Sequence, residues 1–215
     1  MKNILLIGGS TGIGYELSQK LKEDNKVFIS KRNQEKFNDQ NIITKELNLD
    51  QEFETDWLPE QIDGFVYLPG TINLRPFKGL KPSVFLEDFN INVMGCIKIL
   101  QKVLSKIQAS KNPSIVMFST VAVKLGMPFH SSVSSSKGAI EGLTRSLAAE
   151  FAPKIRVNCV APSILETPMA EKFLNSETKL DNARNRHPLK EIGSPKDISE
   201  VVKFLLEDNS KCMTG

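Results

Sequence analysis

The first twenty-one residues constrain this chain more than any other stretch. The apolar run Asn3-Ile4-Leu5-Leu6-Ile7 has the content of a buried strand and leads directly into Gly8-Gly9-Ser10-Thr11-Gly12-Ile13-Gly14, after which Ile13, Leu17 and Leu21 recur at four-residue spacing. Strand, glycine turn and amphipathic helix in this order open a βαβ unit. Glycines allow the turn to be tight and a ligand to approach the backbone, and the amides at the start of the helix suit a phosphate placed there. A plain strand-to-helix connection also uses glycine, so the motif takes its weight from the strand before it and the helix after it.

The same alternation continues. Short apolar runs at 3–7, 26–30, 42–47, 64–68, 114–118 and 156–161 are expected strands. Between them Phe89, Val93, Ile97, Leu100 and Leu104 mark one helix with a buried face, and a long helix is expected over 134–151 with Ala139, Leu143 and Leu147 on one side. Continuously apolar strands separated by helices predict a parallel sheet covered on both faces, an α/β fold of the doubly wound Rossmann type, with residues 1–215 as one domain. The segment 166–192, charged and carrying Pro168 and Pro188, reads as a mobile excursion near a binding site.

Composition narrows the partners. The 28 basic residues nearly balance the 25 acidic ones and are spread along the chain, so a nucleic-acid surface is not expected. Cys96, Cys159 and Cys212 lack the spacing of a metal site or disulfide framework and fit a reducing cytoplasm. No signal peptide is expected, and no stretch approaches the roughly 18 apolar residues of a membrane helix.

The second strand ends in Ser30-Lys31-Arg32. A carboxylate there would hold the ribose hydroxyls of NAD, whereas two cations suit the 2′-phosphate of NADP, so NADP(H) is expected in preference to NAD(H). A solvated cation pair at a strand end is the plainer alternative.

The spacing Gly8, Gly12, Gly14 resembles the turn of the short-chain dehydrogenase/reductase family, and the likeness is strongest from Asn92 to Thr167. It rests on Asn92-Val93-Met94-Gly95, on the strand Ser114-Ile115-Val116-Met117-Phe118-Ser119-Thr120, on Lys137 with the following Gly138-Ala139-Ile140-Glu141-Gly142-Leu143-Thr144-Arg145, and on Asn158-Cys159-Val160-Ala161-Pro162. The resemblance implies an oxidoreductase acting on a small carbonyl or alcohol. Gly8, Ser10, Thr11, Gly12, Ile13 and Gly14 would hold the cofactor phosphates, with Lys31 and Arg32 at the 2′-phosphate, Asn48 near the adenine and Gly70 in the turn after the fourth strand. Lys137 would hold the nicotinamide ribose, and the Leu165 amide and Thr167 hydroxyl the carboxamide. Asn92, Thr120 and Lys137 are the implied catalytic set. Family members associate through long helices, which implies a homo-oligomer, a dimer or tetramer.

The chain departs from the family at its chemical centre. Where the family writes Tyr-x-x-x-Lys, this sequence has Val133-Ser134-Ser135-Ser136-Lys137, and Thr120 stands for the usual serine. After the fourth strand, Tyr67-Leu68-Pro69-Gly70 keeps only the glycine of Asn-Asn-Ala-Gly, and Ser163 replaces a glycine. Valine exchanges no proton, and loss of such acid–base help typically costs on the order of 10² to 10⁴ in rate. His130, three residues upstream, is an alternative proton carrier but reads more simply as a polar surface residue. The alternative function is a catalytically silent NADP-binding sensor or partner subunit. The end, Met213-Thr214-Gly215, resembles the turn before the family's final strand.

Overall fold

The structure, a computed structural model, describes residues 1–31, 37–49 and 51–215. Six parallel strands form one sheet in the order β3-β2-β1-β4-β5-β6. They are β1 Lys2–Ile7, β2 Asn25–Lys31, β3 Ile42–Glu46, β4 Gly64–Tyr67, β5 Ser114–Phe118 and β6 Arg156–Val160, each within two residues of the apolar run that predicts it. The helices are α1 Gly12–Leu21, α2 Pro82–Phe89, α3 Gly95–Gln108, α4 Ala122–Leu125, α5 Ser131–Phe151, α6 Glu171–Leu174, α7 Glu177–Arg186 and α8 Pro195–Leu206.

Alternate residues of each strand serve opposite faces. Leu5 and Ile7 of β1 pack with Cys96, Ile99, Leu100 and Val103 of α3 and with Ile140 of α5, while Ile4 and Leu6 pack with Leu17 and Leu21 of α1 and with Val202 and Leu206 of α8. Each such side chain, removed from water, stabilises the fold by roughly 1.5–3 kcal/mol. A Cβ at Gly64 would lie 2.7 Å from Ile4 Cδ1 and 2.9 Å from Leu206 Cδ2, so glycine in β4 is what lets α8 seat this closely. The Arg156 guanidinium donates to the carbonyls of Leu205 at 2.8 Å and Glu207 at 3.2 Å, satisfying acceptors that the end of α8 leaves open. Residues 213–215 lie along the outer side of β6, where the Gly215 amide donates to Val157 O at 2.8 Å.

Three expectations are corrected. The helix marked by Phe89 to Leu104 is not one regular helix: α2 passes into a π-helical turn, Asn90–Met94, whose closing bond runs from the Gly95 amide to Asn90 O, and then into α3. The extra residue resets the phase, so Phe89 is turned outward and the buried stripe beyond the turn is Cys96, Ile99, Leu100, Val103 and Ile107. The long helix α5 begins at Ser131, a turn earlier than expected, and its buried positions are Ser132, Val133, Ser136, Lys137, Ile140, Thr144 and Ala148. The segment 166–192 is structured: a 3₁₀ turn Pro168–Ala170, then α6 and α7, the latter capped by Ser176 Oγ, which accepts from the Lys179 amide at 3.4 Å.

Candidate cofactor and active site

The chain leaves β1 toward β2 on one side and β4 on the other, so the crevice of a doubly wound sheet opens over the carboxyl ends of β1 and β4. The glycine turn lies at that point. Gly8 has φ 79° and Gly12 φ 53°, values that favour glycine. A Cβ at Gly14 would come within 2.6 Å of Gly9 Cα, so the first turn of α1 rests directly on the bend that precedes it. Ser10 is buried beside it, and Thr11 is the N-cap of α1, its side chain making no capping bond. A Cβ at Gly12 would touch Thr167 Cγ2 at 3.4 Å, which sets Thr167 across the turn from a distant part of the sequence.

At the far side of the crevice, Gly70, Asn92 and Lys137 meet. A Cβ at Gly70 would lie 3.3 Å from Asn92 Oδ1 and 3.5 Å from Lys137 Nζ. Asn92 sits in the π-turn, fully buried, and its Nδ2 donates to Asp88 O at 2.7 Å and Thr71 Oγ1 at 3.0 Å. Its Oδ1 is buried with no donor. Burial pulls the Lys137 ammonium down to about 8, and among the described residues it forms no ion pair. An orphaned acceptor and a desolvated amine over a bare glycine leave room for a polar ligand.

Sequence reasoning missed the residue that organises this corner. Asp88 is fully buried on α2 and accepts from Thr71 Oγ1 at 2.6 Å, from Asn73 Nδ2 at 2.7 Å and from Ser132 Oγ. It thereby ties the segment after β4 to α2 and to the start of α5. The available signal was a carboxylate four positions before Asn92, a spacing that puts both on one face.

Val133 is buried on α5, one turn before Lys137. Thr120, after β5, has its Oγ1 close to the Ala122 amide at 3.3 Å, while neighbouring Ser119 bonds Glu141 Oε1 at 2.8 Å. Tyr67 is buried, its hydroxyl donates to Ile91 O at 2.6 Å, and burial raises its pKa well above the ordinary phenol. Tyr15 lies on α1 against Phe37.

The remaining residues fall around the crevice. The Lys31 ammonium lies 5.8 Å from the centre of the Phe37 ring at the end of β2. Arg32 is outside the described residues. Asn48 borders a cleft of about 410 Å³ against α3, with Leu49, Phe53 and Ile99. Beyond β6, Pro162 O accepts from the Val121 amide at 3.2 Å, Leu165 pairs with Gly193, and Thr167 precedes a 3₁₀ turn without capping it by its side chain. Ile13 is half-buried on α1. Among the described residues no cluster of ligands for a metal occurs, and no helix is long and apolar enough to cross a membrane.

Residues 8–215 match the family profile described as Enoyl-(Acyl carrier protein) reductase. The 3-oxoacyl-[acyl-carrier-protein] reductase FabG of Thermotoga maritima is 37% identical over 127 residues, 59% of this chain and 51% of the relative. L-xylulose reductase of Bos taurus is 31% identical over 66% of the chain and 59% of its own length, so the matched part spans only half to three fifths of these relatives. A tropinone reductase homolog of Arabidopsis thaliana aligns at 28% over 100% of the chain and 88% of its own length. Among solved structures, a short chain dehydrogenase family protein from Francisella tularensis superposes with TM-score 0.88 at 26% identity, covering 100% of this chain and 94% of that one. ElxO with NADP bound superposes at 0.89 and 27%, covering 99% and 94%. With a glycine turn at the switch point of a six-stranded parallel sheet, and with these likenesses, the chain belongs to the short-chain dehydrogenase/reductase family.

Proposed function

We propose that this chain binds NADP(H) in preference to NAD(H) and interconverts a carbonyl and an alcohol on a small molecule. The observation that carries the reading is the meeting of Gly70, Asn92 Oδ1 and Lys137 Nζ across the crevice from the glycine turn. The cradle suits a dinucleotide: Gly8 and Gly12 take positive φ in the turn that opens α1, where backbone amides face a phosphate, and a buried acceptor waits beside an amine. The backbone of Gly8, Ser10, Thr11, Gly12, Ile13 and Gly14 holds the diphosphate at the start of α1. Lys31 and Arg32 take the 2′-phosphate, and Asn48 the adenine end. Lys137 donates to the ribose hydroxyls, while the Leu165 amide and Thr167 hydroxyl orient the carboxamide. When bound, the nicotinamide supplies a hydride; Thr120 orients the substrate oxygen, and Asn92 Oδ1 accepts from the water that links Lys137 to solvent. We place the protein in the cytoplasm as a homo-oligomer, a setting that its three free thiols suit.

A second reading, a silent NADP-binding sensor or partner subunit, is favoured by one observation: valine fills position 133 and the Tyr67 phenol is sealed under Ile91. Titration of the purified protein with NADPH and NADH tests the nucleotide reading, and NADPH is expected to bind more tightly. Cofactor absorbance with a carbonyl panel, for wild type and Val133→Tyr, separates the two functions. Turnover by wild type, raised about 10²-fold or more in the tyrosine variant, supports the enzyme; turnover confined to the variant supports the silent module. Failure of wild type to bind either nucleotide sinks both.

A further inference from the structure

Resting on the reading of this crevice as a nucleotide site, we propose that Asp88 is a positioning residue: it holds Asn92 Oδ1 toward the crevice and serves as the counter-charge of the Lys137 ammonium. Asp88 is fully buried on α2, and among the described residues no cation pairs with it. Its carboxylate accepts only from neutral groups, Thr71 Oγ1 at 2.6 Å and Asn73 Nδ2 at 2.7 Å on one oxygen and Ser132 Oγ on the other. Three convergent donors suit an ionised carboxylate, which has lone pairs to fill and no proton of its own. A buried charge held by neutral donors is not cancelled, and in surroundings of low dielectric its field reaches the next charge.

The contacts run unbroken from Asp88 to the crevice. The Thr71 hydroxyl has one proton, which goes to Asp88 Oδ1, so its oxygen is left to accept from Asn92 Nδ2 at 3.0 Å. The second Nδ2 proton goes to the Asp88 main-chain carbonyl at 2.7 Å. Both amide protons are thereby held on the Asp88 side. Asn92 Oδ1 lies 3.3 Å from the point where a Gly70 Cβ would stand, and Lys137 Nζ lies 3.5 Å from the same point. Asp88 thus grips Asn92 twice, by its main chain and, through Thr71, by its side chain. Ser132, which donates to Asp88, and Ser136, whose Oγ is 3.3 Å from Asn92 Nδ2, bring the helix that carries Lys137 against the same network.

Lys137 is the charge that this field reaches. Burial pulls its ammonium down to about 8, and three titratable groups oppose that pull: Cys159 of β6, Cys96 of α3 and Asp88 of α2. The thiols are themselves pushed up by burial, to about 11 and about 12, so at neutral pH neither carries charge. Glu141, one turn further along α5, accepts from Ser119 Oγ at 2.8 Å and lies 3.7 Å from Arg145 Nη1. Asp88 therefore supplies the negative charge that favours the protonated amine at neutral pH. Without it the amine would give up its proton at a lower pH. A neutral amine still offers N–H donors but loses the charge that strengthens a bond to a ribose hydroxyl.

Titration of ¹³Cε-labelled lysine by NMR reads the Lys137 amine with no nucleotide present, its resonance assigned by its absence from Lys137→Met. The wild-type midpoint is expected at about 8. In Asp88→Asn it should fall below that, whereas Asn73→Ala and Ser132→Ala, which remove a donor and no charge, should leave it in place. An unmoved midpoint in Asp88→Asn overturns the proposal, as does an equal fall in the two neutral variants, which would mark Asp88 as a packing residue. Should Asp88→Asn not fold, the wild type still decides: the Asp88 ¹³Cγ resonance is expected at the position of a carboxylate at pH 7, and the position of a carboxylic acid overturns the proposal. The Asn92 side-chain amide should exchange slowly with solvent and faster in Thr71→Val; rapid exchange in wild type overturns the positioning half. NADPH titrations should show binding weaken as the amine deprotonates, at a lower pH in Asp88→Asn than in wild type. Absence of NADPH binding in wild type overturns the proposed function, while the lysine midpoints judge Asp88 separately.

Discussion

At Lys137 burial and charge oppose one another. Removal from water lowers its pKa from 10.5 to about 8. Between about 8 and 10.5 the unfolded chain binds a proton that the folded chain does not, so this group makes stability rise with pH across that window, and below it the full cost of burying the charge stands. That cost is roughly 3 kcal/mol at about 1.4 kcal/mol per pKa unit. Lys137→Met is accordingly expected to raise the melting temperature of the nucleotide-free protein at pH 7, with the gain shrinking toward pH 10, and to weaken NADPH binding. Melting curves at the two pH values and an NADPH titration check both halves. The position of Lys137 was legible in the sequence because the residues after it match a known helix so closely. Asp88 was not, because its partners Thr71, Asn73 and Ser132 lie 15 to 44 positions away and nothing local announces them.

Among the elements, the passage from α2 through the π-turn into α3 carries the most constraint. The turn brings Asn92 inward, and Gly95, just past it, gives way to Tyr67: a Cβ there would stand 2.5 Å from the phenol oxygen. Gly95→Ala should therefore cost about 1–3 kcal/mol by overpacking, and Tyr67→Phe in the same background should recover part of it, as thermal or denaturant melts would show. The strands were readable because a parallel sheet with both faces covered demands unbroken apolar runs. Helix phase was less so, since a single inserted residue leaves the apolar count unchanged while rotating all that follows. The segment 166–192 looked mobile from its charges and prolines, yet α7 is held by the Ser176 cap and by Arg184 paired with Glu177 and Asp181.

For the molecule as a whole, the crevice is built from parts remote in sequence: the turn after β1, the segment after β4, the start of α5 and the loop beyond β6, where Thr167 faces Gly12. A dinucleotide that touches all of them binds the folded state alone. NADPH at a hundredfold its dissociation constant should stabilise the protein by about 2.7 kcal/mol, which raises the melting temperature of a chain this size by roughly 5–10 °C; scanning calorimetry with NADPH and NADH at matched concentrations would rank the two. The sheet and its two cores make few demands on the residues that set this chemistry. The π-turn shows how slight the connection is. It is a surplus of one residue, so deletion of codon 90 or 91 would return a regular helix, keep the sheet intact and turn Asn92 about 100° on α2, away from Gly70. In descent, the scaffold and its reactive corner can be inherited separately.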